Sequence, residues 1–350
     1  RNHDMNCRIW KAFQPIPLRG DEWDSVKPHM DWERWQTVLR SFSSGKAAGP
    51  SQIRIEAIRA LPDEIQQHLL LFLNAMLESN AIPPVLLKAT MATLHKKASL
   101  PFTLHNIRPI SLMEVPMKIM AKHYVLGING VLSENDIVHE QQQAFIKVRG
   151  CAVPLIINEL VTEDAALSDG RRTAWFTYHD IRKAYDSAEF WVQEGSQDRV
   201  GAPECYTEFE IECSKHGTTQ VLTEFGLTDP YDIECGARQG AVESPPNSNF
   251  VMEPLGVLLR QELPYITEGG TSVPGAMFAD DIWNVSPSYA AAAAKMRVVA
   301  AFLSFAGMSM NTEKTWFSAT RRPPEPVPDV RVPVWKKSLF RRNDSMTEEA

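Results

Sequence analysis

Residues 273–285 read VPGAMFADDIWNV, two short apolar runs on either side of Asp280 and Asp281. Strand formers flanking a pair of turn formers predict a β-hairpin with a tight turn at Asp280-Asp281. Taken alone, Asp-Asp is ordinary turn chemistry. Further upstream, 174–181 (AWFTYHDI) is rich in aromatic and β-branched types and predicts a strand ending at Asp180. Between them, 247–262 predicts a helix after the Ser244-Pro245-Pro246 break. After the hairpin, 288–306 predicts an Ala-rich helix with Gly307 as its stop, and Asn311 and Lys314 follow.

Working outward to the N-terminal half, Ile65, Leu69, Leu73, Met76 and Leu77 fall on one face of a helix over 62–77. Asp63 and Glu64 occupy its first turn, where negative charge suits the helix dipole, and Ser79-Asn80 with Pro83-Pro84 ends it. Residues 85–97 read as extended and lead into Lys96-Lys97, with further helices over 114–128 and 153–167. Residues 1–30 show no clear period, and 321–334 is Pro-rich and extended. Helices first, then strands mixed with helices, predict an α+β body with a small antiparallel sheet.

The 350 residues are 44% hydrophobic and 23% charged, which excludes a coiled coil, a collagen-like repeat and a disordered tail. The longest mostly apolar stretch, Ile65 to Leu77, is interrupted by polar residues and falls short of the ~20 apolar residues of a membrane span. Five cysteines without a C-x-x-C suit a reducing compartment, and the Cys205, Cys213, His216 spacing fits no zinc signature. The chain starts at Arg1, which reads as a piece of a longer product. The net charge of −7 is unevenly spread: the window Glu194 to Glu234 carries −8, so the remainder carries +1. Basic residues cluster outside that window, among them Lys96-Lys97, Arg108, Lys118, Lys122, Arg182-Lys183 and Arg321-Arg322. Distribution, more than the sum, decides whether a polyanion is a partner.

An aspartate at a strand end and two in a neighbouring turn can converge from separate elements. A pair of divalent ions ~3.5–4 Å apart needs such carboxylates, and oxygen donors suit Mg²⁺. An ion pair so held activates a 3′ hydroxyl and steadies a departing pyrophosphate, which is phosphoryl transfer by positioning and charge neutralisation.

The boxes around these residues resemble those of reverse transcriptases. FADD at 278–281 is similar to their YxDD box, with Phe for Tyr, and YHDIRKAYDS at 178–187 to the box with a metal-binding Asp and an aromatic residue five later. GARQGAVESPPNSNFVMEPL at 236–255 resembles the RQGxxxSP box, and NTEKT at 311–315 the NxxKT box. Upstream, NIRPISLMEVPMKIM at 106–120, QQAFIKVRG at 142–150 and GKAAGPSQI at 45–53 resemble the NYRPISL, QxGFxxGR and KAxGPDGI boxes. Seven boxes in order span Gly45 to Thr315, and those at 45–53 and 106–120 point to the non-LTR, LINE-type retrotransposon branch.

The resemblance implies a right-hand polymerase: an N-terminal arm over 1–44, fingers over 45–173, a palm over 174–320 and the start of a primer grip and thumb over 321–350. It implies that Asp180 and Asp280 hold two Mg²⁺ ions (with Mn²⁺ as a substitute), with Asp281 beside them and the Ile181 carbonyl as an extra ligand. Tyr185 would bar a 2′ hydroxyl, and Gln239 and Gly240 would line the nucleotide pocket. Arg108 and Lys97, or Lys96 beside it, would meet the triphosphate, and Lys314 would protonate the pyrophosphate or help close the site. Asp186 reads as structural. The implied partners are an RNA template, a DNA primer, dNTPs and further domains of a longer polyprotein, with no membrane. The implied location is intracellular, cytoplasm and nucleus in a eukaryote. Departures from the boxes are Ser51 and Gln52 for Asp and Gly, Ala241 and Val242 for Asp and Leu, and Ala144 for Gly. They keep open a relic that only binds nucleic acid. An RNA-templated RNA polymerase is the other rival, though it usually lacks a ring where Tyr185 stands.

Overall fold

The structure is a computed structural model, which describes residues 2–18, 20–97, 99, 101, 103, 106–147, 149–321, 329–335 and 346–349. The chain divides into two compact units, each assembled from separate stretches of sequence. One comprises Arg1–Ile16, Asn135–Val200 and Ser248–Ala350; the other comprises Pro17–Glu134 and Gly201–Asn247.

The first unit is built on a four-stranded antiparallel sheet in the order Gly275–Phe278, Asp281–Ser286, Trp175–His179, Trp316–Ala319. This is the small antiparallel sheet expected from the sequence. Alternation gives it two different faces. Phe176 and Val285 pack against Val161 and Ala165 of the helix Ala152–Leu167. On the other side, Met277 and Ile282 join Val298, Val299, Phe302 and Leu303 of the helix Tyr289–Phe305. Leu255, Leu258 and Leu259 of the helix Ser244–Arg260 complete that core. Burying one such aliphatic side chain is worth about 1.5–3 kcal/mol, so this cluster anchors the sheet. Lys295 is wholly buried on the helix Tyr289–Phe305, yet satisfied, because its ammonium donates to the carbonyls of Pro274 (2.8 Å) and Val285 (2.6 Å).

Local signals explain the helix ends. Ser288 caps Tyr289–Phe305 through the amide of Ala291. Gly307, at φ +78°, ends it in a Schellman motif: Met308 N–H donates to Leu303 O and Gly307 N–H to Ser304 O. The Ser244-Pro245-Pro246 step, read as a break, is the first turn of Ser244–Arg260, where a missing N–H costs nothing. The stretch 1–30, which shows no period, contains the helix Asn2–Ala12, and its Ile9 and Ala12 enter the same core. The Pro-rich stretch 321–334 lies partly outside the described residues; Val332–Trp335 pairs antiparallel with Met346–Glu349.

The second unit holds a mixed sheet. Ala89–His95 pairs antiparallel with Ile107–Met113 and parallel with Thr218–Thr223, which carries Gly226–Leu227 and Tyr231–Asp232. The helices Trp32–Ser41, Asp63–Ser79, Val115–Glu134 and Glu204–Lys215 supply its core, with Trp35 and Leu73 fully buried. Tyr124 meets the rings of Phe209 and Tyr206 at 5.2 and 5.6 Å. Among the described residues no helix is long and apolar enough to cross a membrane.

Candidate active site

Register places the carboxylates of the first unit. Ile282 lies opposite His179 in the antiparallel pair. One step further along the same register, Asp281 faces Asp180, at the point where the chain leaves this sheet. It then continues as the short strand Ile181–Arg182, paired with Ser309–Met310. The hairpin differs by one residue from the sequence expectation. Phe278 pairs with Asp281, so the two loop residues are Ala279 and Asp280, and Asp281 opens the next strand. Two-residue loops whose twist matches the strands favour positive φ at the first position, and Ala279 takes it at +55°.

Asp180 is held on three sides. Its carbonyl accepts from Asn311 N–H at 2.8 Å, and its carboxylate accepts from Asn311 Nδ2 at 2.8 Å and Lys314 Nζ at 3.4 Å. The Lys314 side chain is two-thirds exposed, so this ion pair is a contact at the rim of the site and not a buried bridge. Asn311 was not assigned a role from the sequence, although its place in the NxxKT box was the available signal.

Asp280 and Asp281 are both harder to ionise than usual. For Asp280 the main cause is burial, joined by repulsion from Asp281 and Asp180, with a backbone hydrogen bond at Asp280 itself and then Lys314 opposing. For the more exposed Asp281 it is partial burial, then Asp180, again opposed by Lys314. Asp280 therefore feels both other carboxylates, Asp281 feels Asp180, and the Lys314 ammonium opposes both shifts. Tyr185, on the short helix Ala184–Ser187, belongs to the same group: burial raises its phenol, the Asp280 charge raises it further, and a hydrogen bond with Ser248 opposes both. Ile181 turns its side chain into the core at 4% exposure. Asp186 is exposed to solvent.

Asp180, Asp281 and Lys314 line a cavity of about 520 Å³ together with Tyr178, Phe278, Trp283 and Trp316. Trp316 lies opposite Tyr178 on the adjacent strand, and their rings stack at 4.2 Å. The second-unit residues gather around the strand Ile107–Met113 and its partner. Arg108 is exposed on Ile107–Met113 opposite Leu94, and Lys97 lies just past the end of the partner strand, where Lys96 N–H donates to Asn106 O at 2.8 Å. The Gln239 carbonyl accepts from Ser111 N–H at 2.8 Å. Gly240, at φ +101°, leaves no easy room for a side chain, since a Cβ would lie 3.1 Å from Ile110 and 3.2 Å from Ser111 O. The structure thus groups Asp180, Asp280, Asp281, Lys314 and Tyr185 in one unit, and Arg108, Lys97, Gln239 and Gly240 in the other.

Among the described residues no three His, Cys, Asp or Glu side chains form a ready-made metal centre. The donor chemistry nevertheless fits hard divalent cations. These are oxygen donors that repel one another across a partly buried cavity mouth, with a single ammonium as counter-charge.

Helices backing a small antiparallel sheet, with aspartates at a strand end and at a hairpin, make the palm of a template-directed polymerase. The chain belongs to the reverse transcriptase (RNA-dependent DNA polymerase) family, whose model matches residues 94–327. It is 25% identical over 290 residues to the transposon TX1 uncharacterized 149 kDa protein of Xenopus laevis, covering 77% of this chain and 22% of that protein. It is 27% identical over 157 residues to the RNA-directed DNA polymerase from mobile element jockey of Drosophila melanogaster, covering 44% of this chain and 17% of that protein. The chain thus spans about a fifth of the length of these curated relatives, both of the non-LTR, LINE-type branch. In fold it is similar to apo telomerase from Candida tropicalis truncated from its C-terminal domain: TM-score 0.50 at 11% identity, over 70% of this chain and 52% of that one.

Proposed function

We propose that this chain is the fingers-and-palm portion of an RNA-directed DNA polymerase of a non-LTR retroelement. It adds deoxynucleotides to a primer 3′ hydroxyl along an RNA template. We take the unit with the four-stranded sheet as the palm and the unit with the mixed sheet as the fingers, which moves 135–173 into the palm and 201–247 into the fingers relative to the bounds expected from the sequence. The observation that carries this reading is the register that faces Asp281 to Asp180, with Lys314 on the same carboxylate.

In the reaction the 3′ oxygen bonds to the α-phosphorus of a dNTP and pyrophosphate departs. Two divalent ions, Mg²⁺ or Mn²⁺ in its place, would lower the charge of the attacking and leaving oxygens when held by Asp180, Asp280 and Asp281, with the Ile181 carbonyl as a further donor. The chain's own groups do the rest. Lys314 sits at the cavity where it can deliver a proton to the pyrophosphate oxygen. Tyr185, a rigid ring beside Asp280, excludes a 2′ hydroxyl. Arg108 and Lys97 meet the triphosphate, and Gln239 with Gly240 shapes the nucleotide pocket. Stacked Tyr178 and Trp316 offer a flat apolar face to a nucleic-acid base.

The fingers unit also offers a polyanion a place to bind. Lys46, Arg54, Lys118 and Lys122 line a cavity of about 340 Å³ beside Phe42. Burial lowers the pKa of both Lys118 and Lys122, so a phosphate arriving there would strengthen their charged forms. Template binding through these groups weakens as salt rises.

The test is primer extension on an RNA template with Mg²⁺. Incorporation of dNTPs by the unsubstituted protein and its loss in Asp280→Ala support the reading; equal incorporation by both refutes the site. The relic reading has one structural observation in its favour. Gln52, standing where the resembled box has Gly, is held at φ +61°, a conformation that penalises a side chain. Salt-sensitive template binding without any incorporation, in a longer chain that includes the flanking domains, would establish the relic.

A further inference from the structure

The box at 142–150 has no part in the chemistry above, yet its first residue is one of the most enclosed polar groups in the palm unit. Gln142 is 0% exposed. Its Oε1 accepts from Ala279 N–H at 3.0 Å and from Ala144 N–H at 3.1 Å, and its Nε2 donates to Ala279 O at 3.4 Å. A carboxamide both donates and accepts, so it can grip the two peptide groups that flank one residue. That residue is the one the hairpin needs at positive φ, and Ala adopts this region reluctantly, whereas Gly would adopt it freely.

The gripping segment is itself fixed. Met277 N–H donates to Gln141 O and Gln143 N–H to Met277 O, both at 2.8 Å, so 141–143 runs along the edge of the strand that carries the turn. Arg149 Nη1 donates to the carbonyls of Val138, His139 and Gln142 at 3.3, 3.0 and 3.0 Å. Asn249 Nδ2, fully buried, donates to Ala144 O at 2.9 Å.

We propose that Gln142 is a positioning residue whose carboxamide clamps Ala279 in its left-handed conformation and thereby sets where the Asp280 and Asp281 carboxylates project. The purpose of the clamp rests on the polymerase reading above; its existence does not. A Leu or Met could fill the same volume but bond neither peptide group, and Glu would bring a like charge toward the aspartates. Loss of the group that orients a metal-holding side chain typically costs about 10–100-fold in metal affinity or activity.

Hydrogen exchange and Mn²⁺ binding, followed by electron paramagnetic resonance, test this without relying on turnover. In the unsubstituted protein the Ala279 amide should exchange as slowly as the strand amide of Met277, despite lying in a turn. In Gln142→Ala, exchange over 278–281 should rise at least about tenfold and Mn²⁺ affinity should fall about 10–100-fold. In primer extension kcat should fall with it, while KM for dNTP stays within about twofold. Adding Ala279→Gly to Gln142→Ala should recover at least about fivefold of the lost Mn²⁺ affinity, because Gly takes positive φ without help. A purely structural glutamine predicts no such rescue, and its absence overturns the proposal. So does an Ala279 amide that exchanges like an exposed turn in the unsubstituted protein, a measurement that decides the matter even if Gln142→Ala fails to fold. Absence of Mn²⁺ binding by the unsubstituted protein instead overturns the two-ion reading on which the purpose rests, and is separable because the Ala279 exchange rate is read independently.

Discussion

In the palm unit the decisive charges lie where their surroundings penalise them, whereas in the fingers unit the decisive charges stand in the open. Burial and the Asp180 charge raise both Asp280 and Asp281, and Asp180 has Asn311 and Lys314 beside it. Arg108 and Lys97 are exposed where Ala89–His95 connects to Ile107–Met113. The two turns differ in the same way. The fingers hairpin Thr218–Thr223 to Gly226–Leu227 puts its positive φ on a glycine just after the loop, Gly226 at +113°, and closes with a local bond from Thr223 Oγ1 to Gly226 O. The palm hairpin uses Ala279 and a side chain 137 positions away. A binding surface works with groups that can adjust to a ligand. A catalytic centre needs groups whose positions are set beforehand, so its strain must be held from outside the turn.

The sharpest way to break this contrast is kinetic. Asp281→Asn should lower kcat by about a thousandfold or more, equivalent to about 4 kcal/mol of transition-state stabilisation, with folding intact because one like-charge repulsion is gone. Arg108→Gln should instead raise KM for dNTP by about tenfold with kcat within about threefold. If both variants change the same parameter, the division of labour is wrong.

A second difference concerns pH. In the fingers unit His123 is 5% exposed; its Nε2 bonds the Lys27 carbonyl at 2.8 Å, and its Nδ1 accepts from Arg34 Nε at 3.4 Å. Burial, with the Arg34 charge adding to it, lowers this histidine from 6.5 to about 4. Between those values the unfolded chain binds a proton that the folded chain refuses. The contribution of this residue is therefore fully present above pH 6.5 and is lost as pH falls to about 4, by about 3 kcal/mol. Urea unfolding of the fingers unit from pH 7 to 4, compared with His123→Gln, measures it. A variant that keeps the same pH slope would remove His123 as the cause.

Sugar selection should respond in the palm alone. Tyr185→Ala should shift the rNTP-to-dNTP preference by one to two orders of magnitude, roughly the worth of a steric contact, and an unchanged ratio in competition assays would dismiss the ring as the gate. The smallest expected effect lies in the fingers. Gln52→Gly should stabilise by up to about 1 kcal/mol by relieving its φ of +61°, read as a rise in Tm. A fall would mean that the bond from Gln52 Nε2 to Gly49 O outweighs the strain.

Much of the palm was legible in the residues. The strand before Asp180, the hairpin over 273–285 and the helix ended by Gly307 all follow from short-range patterns, and each stands within a residue or two of its expected limits. The helix Asn2–Ala12 went unread because its apolar positions answer to a core made by distant helices and not to a clear period of their own. The parallel pairing of Ala89–His95 with Thr218–Thr223 left no local mark either, since it joins strands more than a hundred residues apart.

By itself the sequence determined the donor chemistry: which aspartates sit at strand ends, which ring follows Asp180 and which box supplies Lys314. Those are properties of neighbours along the chain, where propensity and turn chemistry act. Only the tertiary structure decided that Ala279 rather than Asp281 takes the turn, that Asn311 shares Asp180 with Lys314, and that Gln142 reaches across 137 positions to hold the loop. These depend on sheet register and on buried hydrogen bonds, which come into being when separate segments pack and which no local window of residues contains.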